Sequence, residues 1–246
     1  MYNPSLCVEF KISEIDKLKN HIFQNKEDGM RVLAEIKDTV TLYNRHNEVI
    51  HFPLIQEALK EFPNCVLDGE LISDDFSKLV SIAHSNNKDE SSLKFIVFDI
   101  LEIEGKYIGN RPYTTRRLNL SLLPFNDKIQ LIQDYTDYKH IWETSKEGII
   151  AKRRNSIYQH KRTTDWIKIK HFKEKILKFD KYELHSNEAG ITLDNGKDRV
   201  SVGSQEISNQ IIEYLKGHTF ISVEVQYLED NEHLRFPSFK RIVGGE

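Results

Sequence analysis

Short segments in which apolar and polar residues alternate with a period of two recur along the chain, and this pattern limits the fold more than any other feature. Alternation puts every second side chain on one face, so such segments must pair into sheets with at least one covered face. Residues 31–36 and 40–43 read as two strands around a polar turn, 66–72 and 93–103 as two more, and 147–152 and 166–170 as a third pair. Helical stripes interrupt them. Residues 51–62 place Leu54, Ile55, Ala58, Leu59 and Phe62 on one side, and shorter helices are expected at 76–83 and 115–122. After His171 the texture changes. Strands at 191–193 and 200–202 flank an Asp194-Asn195-Gly196 turn, residues 207–215 form an amphipathic helix, and 220–227 alternate again. Several strands with one helix in about 75 residues suit a small barrel of the OB type. The expected organisation is therefore α+β in two domains, 1–170 and 171–246. No internal repeat or low-complexity tract is present.

With 246 residues the chain can bury its cores without metal or disulfide staples. Cys7 and Cys65 stand far apart, outside any zinc or redox pattern, and are expected to be plain buried thiols. No apolar run approaches the roughly 20 residues of a membrane helix. The first 20 residues, carrying Glu9, Lys11, Glu14 and Asp16, do not read as a signal peptide, so the expected compartment is the cytoplasm. Net charge is −3, but its distribution is uneven: residues 146–181 hold twelve Lys or Arg against four acids, a net of +8 that leaves −11 elsewhere. Such a window is either a solvated Lys-rich surface or a phosphate-binding face.

Two Asp-Gly pairs, Asp28-Gly29 and Asp68-Gly69, each suit a tight turn when taken singly. Lys168 and Lys170, two apart in a strand, share a face opposite Ile167 and Ile169, as in a lysine-blunted edge strand or a site for one phosphate. The ten His residues make no metal spacing, and neither a nucleophile elbow nor a Walker loop occurs.

Order and spacing along the chain are more specific than any single motif. Lys26-x-Asp28-Gly29-x-Arg31 is followed by Arg45, Asp68-Gly69-Glu70, the strand around Phe98, Glu147-Gly148-Ile149-Ile150-Ala151-Lys152 and Trp166-Ile167-Lys168-Ile169-Lys170. This succession resembles the ATP-dependent DNA ligases, within the covalent nucleotidyltransferases that also include RNA ligases and capping enzymes. The likeness extends through Arg116-Arg117-Leu118 to Leu234-Arg235-Phe236-Pro237-Ser238-Phe239 and covers nearly all of the chain. It implies a nucleotidyltransferase domain of ATP-grasp-like antiparallel sheets with helices, followed by an OB-fold barrel. It also implies the use of ATP with Mg2+ or Mn2+ on nicked duplex DNA, in replication, repair or recombination.

The chemistry of such enzymes explains the residue types. A lysine amine attacks phosphorus only when neutral, and at its ordinary pKa about four molecules in ten thousand are neutral at pH 7. Neighbouring cations and a divalent ion must therefore favour the neutral form. By resemblance, Lys26 is the nucleophile that becomes lysyl-AMP, Asp28 and Arg31 assist catalysis, Glu70 holds the ribose hydroxyls and Phe98 stacks on adenine. Lys168 and Lys170 hold the α-phosphate, Glu147 the divalent ion, and Arg45, Arg162 and Lys152 the nick phosphate or the DNA. For Phe98 the competing fate is core packing, and for Arg45 and Arg162 an ordinary surface position.

The chain departs from the family in lacking an Arg-x-Asp-Lys element near its end, where Lys240 or Arg241 would have to substitute. Self-adenylylation is the step this affects. The length suggests a minimal core ligase of bacterial or viral type, and a monomer is expected because no spare apolar stripe suggests a partner. Within enzymes the alternative is an RNA ligase or a capping-type nucleotidyltransferase. From another class, the alternative is an impaired nick-binding module.

Overall fold

In the computed structural model, which describes residues 2–85, 89–186, 190–230 and 232–244, the chain forms two compact units, Met1–Lys170 and His171–Glu246.

The first unit contains strands β1 (Leu6–Glu9), β2 (His21–Asn25), β3 (Met30–Ile36), β4 (Val40–Asn44), β5 (Val49–Ile50), β6 (Cys65–Ile72), β7 (Lys94–Ile103), β8 (Lys106–Tyr107), β9 (Ile129–Leu131), β10 (Gly148–Arg153) and β11 (Arg162–Lys170). Its helices are α1 (Pro53–Ala58), α2 (Phe76–His84), α3 (Tyr113–Leu120) and α4 (Lys139–Thr144). The larger sheet runs β5-β4-β3-β6-β7-β8, with β9 added parallel to β7. The smaller runs β1-β11-β10-β2, with β1 parallel to β11 and the other pairs antiparallel.

Alternation decides what each face meets. In β3, Val32, Ala34 and Ile36 join the main core together with Ile55 of α1, Leu79 of α2 and Leu120 of α3, while Leu33 points the other way. Leu33 packs in a second cluster with Val66, Leu101, Tyr158 and Trp166, which joins residues of both sheets. On the smaller sheet, Ile149, Ala151, Ile167 and Ile169 turn away into a third cluster with Phe23 and Ile141. Burying each of these isoleucines contributes about 1.5–3 kcal/mol. The opposite face of β10 and β11 is thereby free for polar side chains.

Three local expectations change. The helix expected at 51–62 is only Pro53–Ala58: its end tightens into turns from Lys60 N to Glu57 O and from Phe62 N to Leu59 O before Pro63, and Leu54 is left exposed. Asp68-Gly69 is not a hairpin turn but lies inside β6. Glycine is required there by close approach, since a Cβ would fall 2.5 Å from the Phe95 ring and 2.6 Å from the Ile96 carbonyl. Cys7 is half-buried rather than buried, whereas burial pushes the Cys65 thiol up to about 12.

The second unit contains β12 (Lys173–Phe179), β13 (Lys181–Leu184), β14 (Ile191–Asp194), β15 (Arg199–Val202), α5 (Gln205–Gly217), β16 (Ile221–Tyr227), β17 (Glu229–Asp230), β18 (Leu234–Arg235) and β19 (Ser238–Gly244). Two three-stranded sheets, β12-β16-β19 and β13-β14-β15, and the pair β17-β18 are present, with no closed barrel among the described residues. Phe179, Leu193, Val200, Ile211 and Val223 form the core. Ser204 caps α5 by accepting from Ile207 N. The proposed substitutes Lys240 and Arg241 lie on β19 and are paired, Lys240 with Glu174 at 3.5 Å and Arg241 with Glu224 at 2.7 Å. Gly245 and Glu246 lie outside the described residues. No described helix is long and apolar enough to cross a membrane.

Candidate active site

Between the two sheets of the first unit lies a cavity of about 310 Å3. The smaller sheet supplies one wall through register. Ile150 pairs with Lys168 and Lys152 with Trp166 across β10 and β11, so these four side chains share the face opposite the third core cluster, and all of them line the cavity with Lys170. Gly148 opposes Lys170 with φ +133°, and a Cβ there would fall 2.1 Å from the Ile169 carbonyl, which accounts for the glycine after Glu147.

The larger sheet supplies the other wall through Arg31, Glu70 and Phe98. Asp68 pairs with Asp99 and Gly69 with Val97, which leaves Phe98 as the extra residue of a β-bulge. A bulge re-aims its side chain, and Phe98 is half-buried at the cavity instead of lost in the core. Arg31 lies over its ring at 4.6 Å, and Lys152 Nζ at 4.5 Å.

Lys26 follows β2 at the crossover between the sheets, its N–H donating to Gly148 O at 2.9 Å. Its Nζ lies 2.7 Å from Glu147 Oε2, and Lys170 Nζ lies 3.8 Å from Glu147 Oε1. One carboxylate thus sits between the amine from the first motif and a lysine of the last strand. Glu147 is 7% exposed, and its Oε2 has no hydrogen-bond partner besides the ion-pair contact with Lys26. A buried carboxylate oxygen without a hydrogen-bond partner suits a hard divalent cation, although no cluster of three or more His, Cys, Asp or Glu occurs among the described residues. Burial pushes the Glu70 carboxyl up to about 7, against the opposing pull of Arg31 and Lys26. Lys168 is paired with Glu9 at 3.0 Å.

The structure brings Lys26, Arg31, Arg45, Glu70, Phe98, Lys152, Arg162, Lys168 and Lys170 to this one cavity. Arg45 and Arg162 are exposed at it. Asp28 is not among the lining residues. Lys152 is misplaced as a DNA contact. It is 1% exposed, donates to Phe98 O at 2.9 Å and lies 4.0 Å from the Trp166 ring, so it cannot reach a duplex backbone. Burial brings its pKa down to about 8.

Several residues were missed by sequence reasoning. Asp68, fully buried, takes Arg31 through two hydrogen bonds of 2.5 and 2.6 Å and also accepts from Tyr158 Oη at 2.6 Å. Asp99 grips Arg116 in the same bidentate way at 2.7 and 2.8 Å, both side chains fully buried. Gln24, which lines the cavity, is locked by donating to Tyr113 Oη and Asp134 Oδ1. Trp166 and Ile150, which also line the cavity, were not singled out, although each keeps the period-two spacing of the lysines beside it and could have been found by it.

A family model described as "ATP dependent DNA ligase domain" matches residues 4–170. The SPbeta prophage-derived DNA ligase-like protein LigB of Bacillus subtilis is 28% identical over 168 residues, 61% of this chain and 61% of LigB. The multifunctional non-homologous end joining protein LigD of Mycolicibacterium smegmatis is 30% identical over 183 residues, 69% of this chain but 24% of LigD. The chain thus spans less than two thirds of either relative. Among solved structures, the ligase domain of M. tuberculosis LigD superposes with TM-score 0.62 at 22% identity, covering 98% of this chain and 94% of that one. A structure from an analysis of Lig E DNA ligases gives 0.75 at 18% identity, covering 97% and 98%. These structural likenesses concern the fold.

Proposed function

The chain belongs to the ATP-dependent DNA ligase family, and on that premise we propose that it seals nicks in duplex DNA through a lysyl-AMP intermediate on Lys26. The observation that carries this reading is that Lys26 and Lys170, which line the cavity together with Glu70 and Phe98 of the other sheet, meet on the carboxylate of Glu147 at 2.7 and 3.8 Å.

In the first step the deprotonated Lys26 amine attacks the α-phosphorus of ATP. An N–P bond forms, the bond to the bridging oxygen breaks and pyrophosphate leaves. Lys168 and Lys170 meet the charge that spreads over the phosphoryl oxygens. Glu70 accepts from the ribose hydroxyls, and Phe98 and Ile150, from opposite sheets, contact the base. AMP then passes to the 5′-phosphate of the nick, which Arg45 and Arg162 meet in this reading, and the 3′-hydroxyl displaces it to close the strand. Glu147 is the residue to hold a divalent ion, which would neutralise phosphate charge and engage the carboxylate that otherwise faces the amine. Asp28 assists the later steps from outside the cavity wall.

The second unit serves in this reading as an OB-type domain. β12 and β13 follow each other across Asp180 and lead one into each three-stranded sheet, and α5 lies between β15 and β16. The +8 window supplies sequence-independent contacts to the duplex backbone.

Incubation with radiolabelled ATP and a divalent ion should leave acid-labile AMP on the protein, and Lys26→Ala should abolish it. Label from GTP alone would support the capping-type alternative, and binding of nicked DNA without label the impaired module.

A further inference from the structure

The N-terminal strand β1 and Ser5, the residue before it, touch three of the cations that line the cavity. Arg31 Nη2 donates to Ser5 O at 3.3 Å, Arg162 Nη1 to Cys7 O at 2.5 Å, and Lys168 Nζ lies 3.0 Å from Glu9 Oε2. Leu6 and Cys7 themselves line the cavity. The placement of Glu9 follows from a break in register. Cys7 pairs with Thr163, the register then shifts, and Val8 and Glu9 pair with Ile167 and Lys168. Phe10 N–H donates to Lys168 O at 3.0 Å and fixes the arrangement from the far side. Of residues 5–9, only Glu9 carries a full charge.

We propose that Glu9 is a resident counter-anion that competes with the nucleotide phosphate for Lys168, so that β1 sets how tightly ATP is held. The inference rests on the reading of Lys168 as a phosphate ligand. Glu9 and Lys168 are 44% and 28% exposed, and ion pairs this open to solvent are weak enough to be exchanged. A phosphate brings more charge and a second partner in Lys170, so it displaces the carboxylate.

The test is Glu9→Gln, which keeps shape and removes charge. The KM for ATP in lysyl-AMP formation should fall about two- to five-fold while the maximal rate stays within two-fold, and equilibrium binding of ATP should tighten by the same factor. Added salt should shrink the difference. In a Lys168→Ala background the same substitution should leave ATP binding unchanged. An unchanged or raised KM in Glu9→Gln overturns the proposal, and so does an equal tightening without Lys168. A wild-type protein that binds ATP but takes no label would refute the lysyl-AMP reading and leave the binding comparison to decide on Glu9. A wild type that does not bind ATP would overturn both.

Discussion

Asp68 performs no step of the proposed reaction, yet it fixes a residue that does. Its carboxylate is fully buried and takes two hydrogen bonds from Arg31 and one from Tyr158, whose oxygen in turn accepts from Ser5 N at 3.0 Å. Removing one partner of such a pair leaves a buried charge uncompensated, at a cost of about 3–5 kcal/mol. Asp68→Asn should therefore lower the urea midpoint strongly, and a variant of near wild-type stability would contradict this role. Glu70 carries a pH dependence. Because its folded pKa is raised to about 7 from 4.5, the folded protein holds a proton that the unfolded chain releases between those values. The Glu70 contribution to stability thus falls as pH rises from about 4.5 to 7 and is constant above. ATP binding should move the other way, strengthening as pH rises through 7, because only the carboxylate accepts from both ribose hydroxyls. Titrations of ATP binding from pH 6 to 8 should show this rise in the wild type and a weaker one in Glu70→Gln, whereas an equal slope in Glu70→Gln would assign the dependence elsewhere. Nothing in the sequence separates Asp68 from an ordinary turn aspartate, since its partners lie 37 and 90 positions away.

Among the elements, those with a clear period were legible. β3, β7, β10 and β11 overlap their expected segments, and α2 and α5 contain theirs. β1 was not legible: it pairs in parallel with a strand about 155 positions later, and no hairpin turn announces such a pairing. The bulge at Phe98 was equally hidden, because alternation alone reads residues 93–103 as one regular strand. Asp68-Gly69 misled for a physical reason. Glycine serves tight turns and close approaches alike, and here it is the Phe95 ring and the Ile96 carbonyl that exclude a side chain. Gly69→Ala should force β6 and β7 apart beside the bulge and destabilise the protein by about 1–3 kcal/mol. It should also weaken ATP binding, since both Glu70 and Phe98 are displaced. Thermal unfolding and ATP titration of the variant check this, and a fully stable variant that binds ATP normally would contradict the account of the bulge.

For the molecule as a whole, the charge pattern was the earliest pointer and the most easily overread. The pairs Arg153–Asp165 and Lys170–Glu147 are already inside the net of +8, but Lys168 is also matched by Glu9 from outside the window, so less positive charge is free for a duplex than the count suggests. What the sequence conveyed well was the convergence of motifs, because strand period and order along the chain place the lysines of β11 and the glutamate before β10 on known faces. The distance between Lys26 and that wall was not legible, since it depends on how two sheets pack. The central claim is that the Lys26 amine takes AMP from ATP. Intact-mass measurement and peptide mapping after incubation with ATP and Mg2+ test it most directly. The account predicts a single AMP adduct, lost in acid, on the peptide that contains Lys26. An adduct on Lys168 or Lys170, or no adduct on a protein that binds ATP, would contradict it.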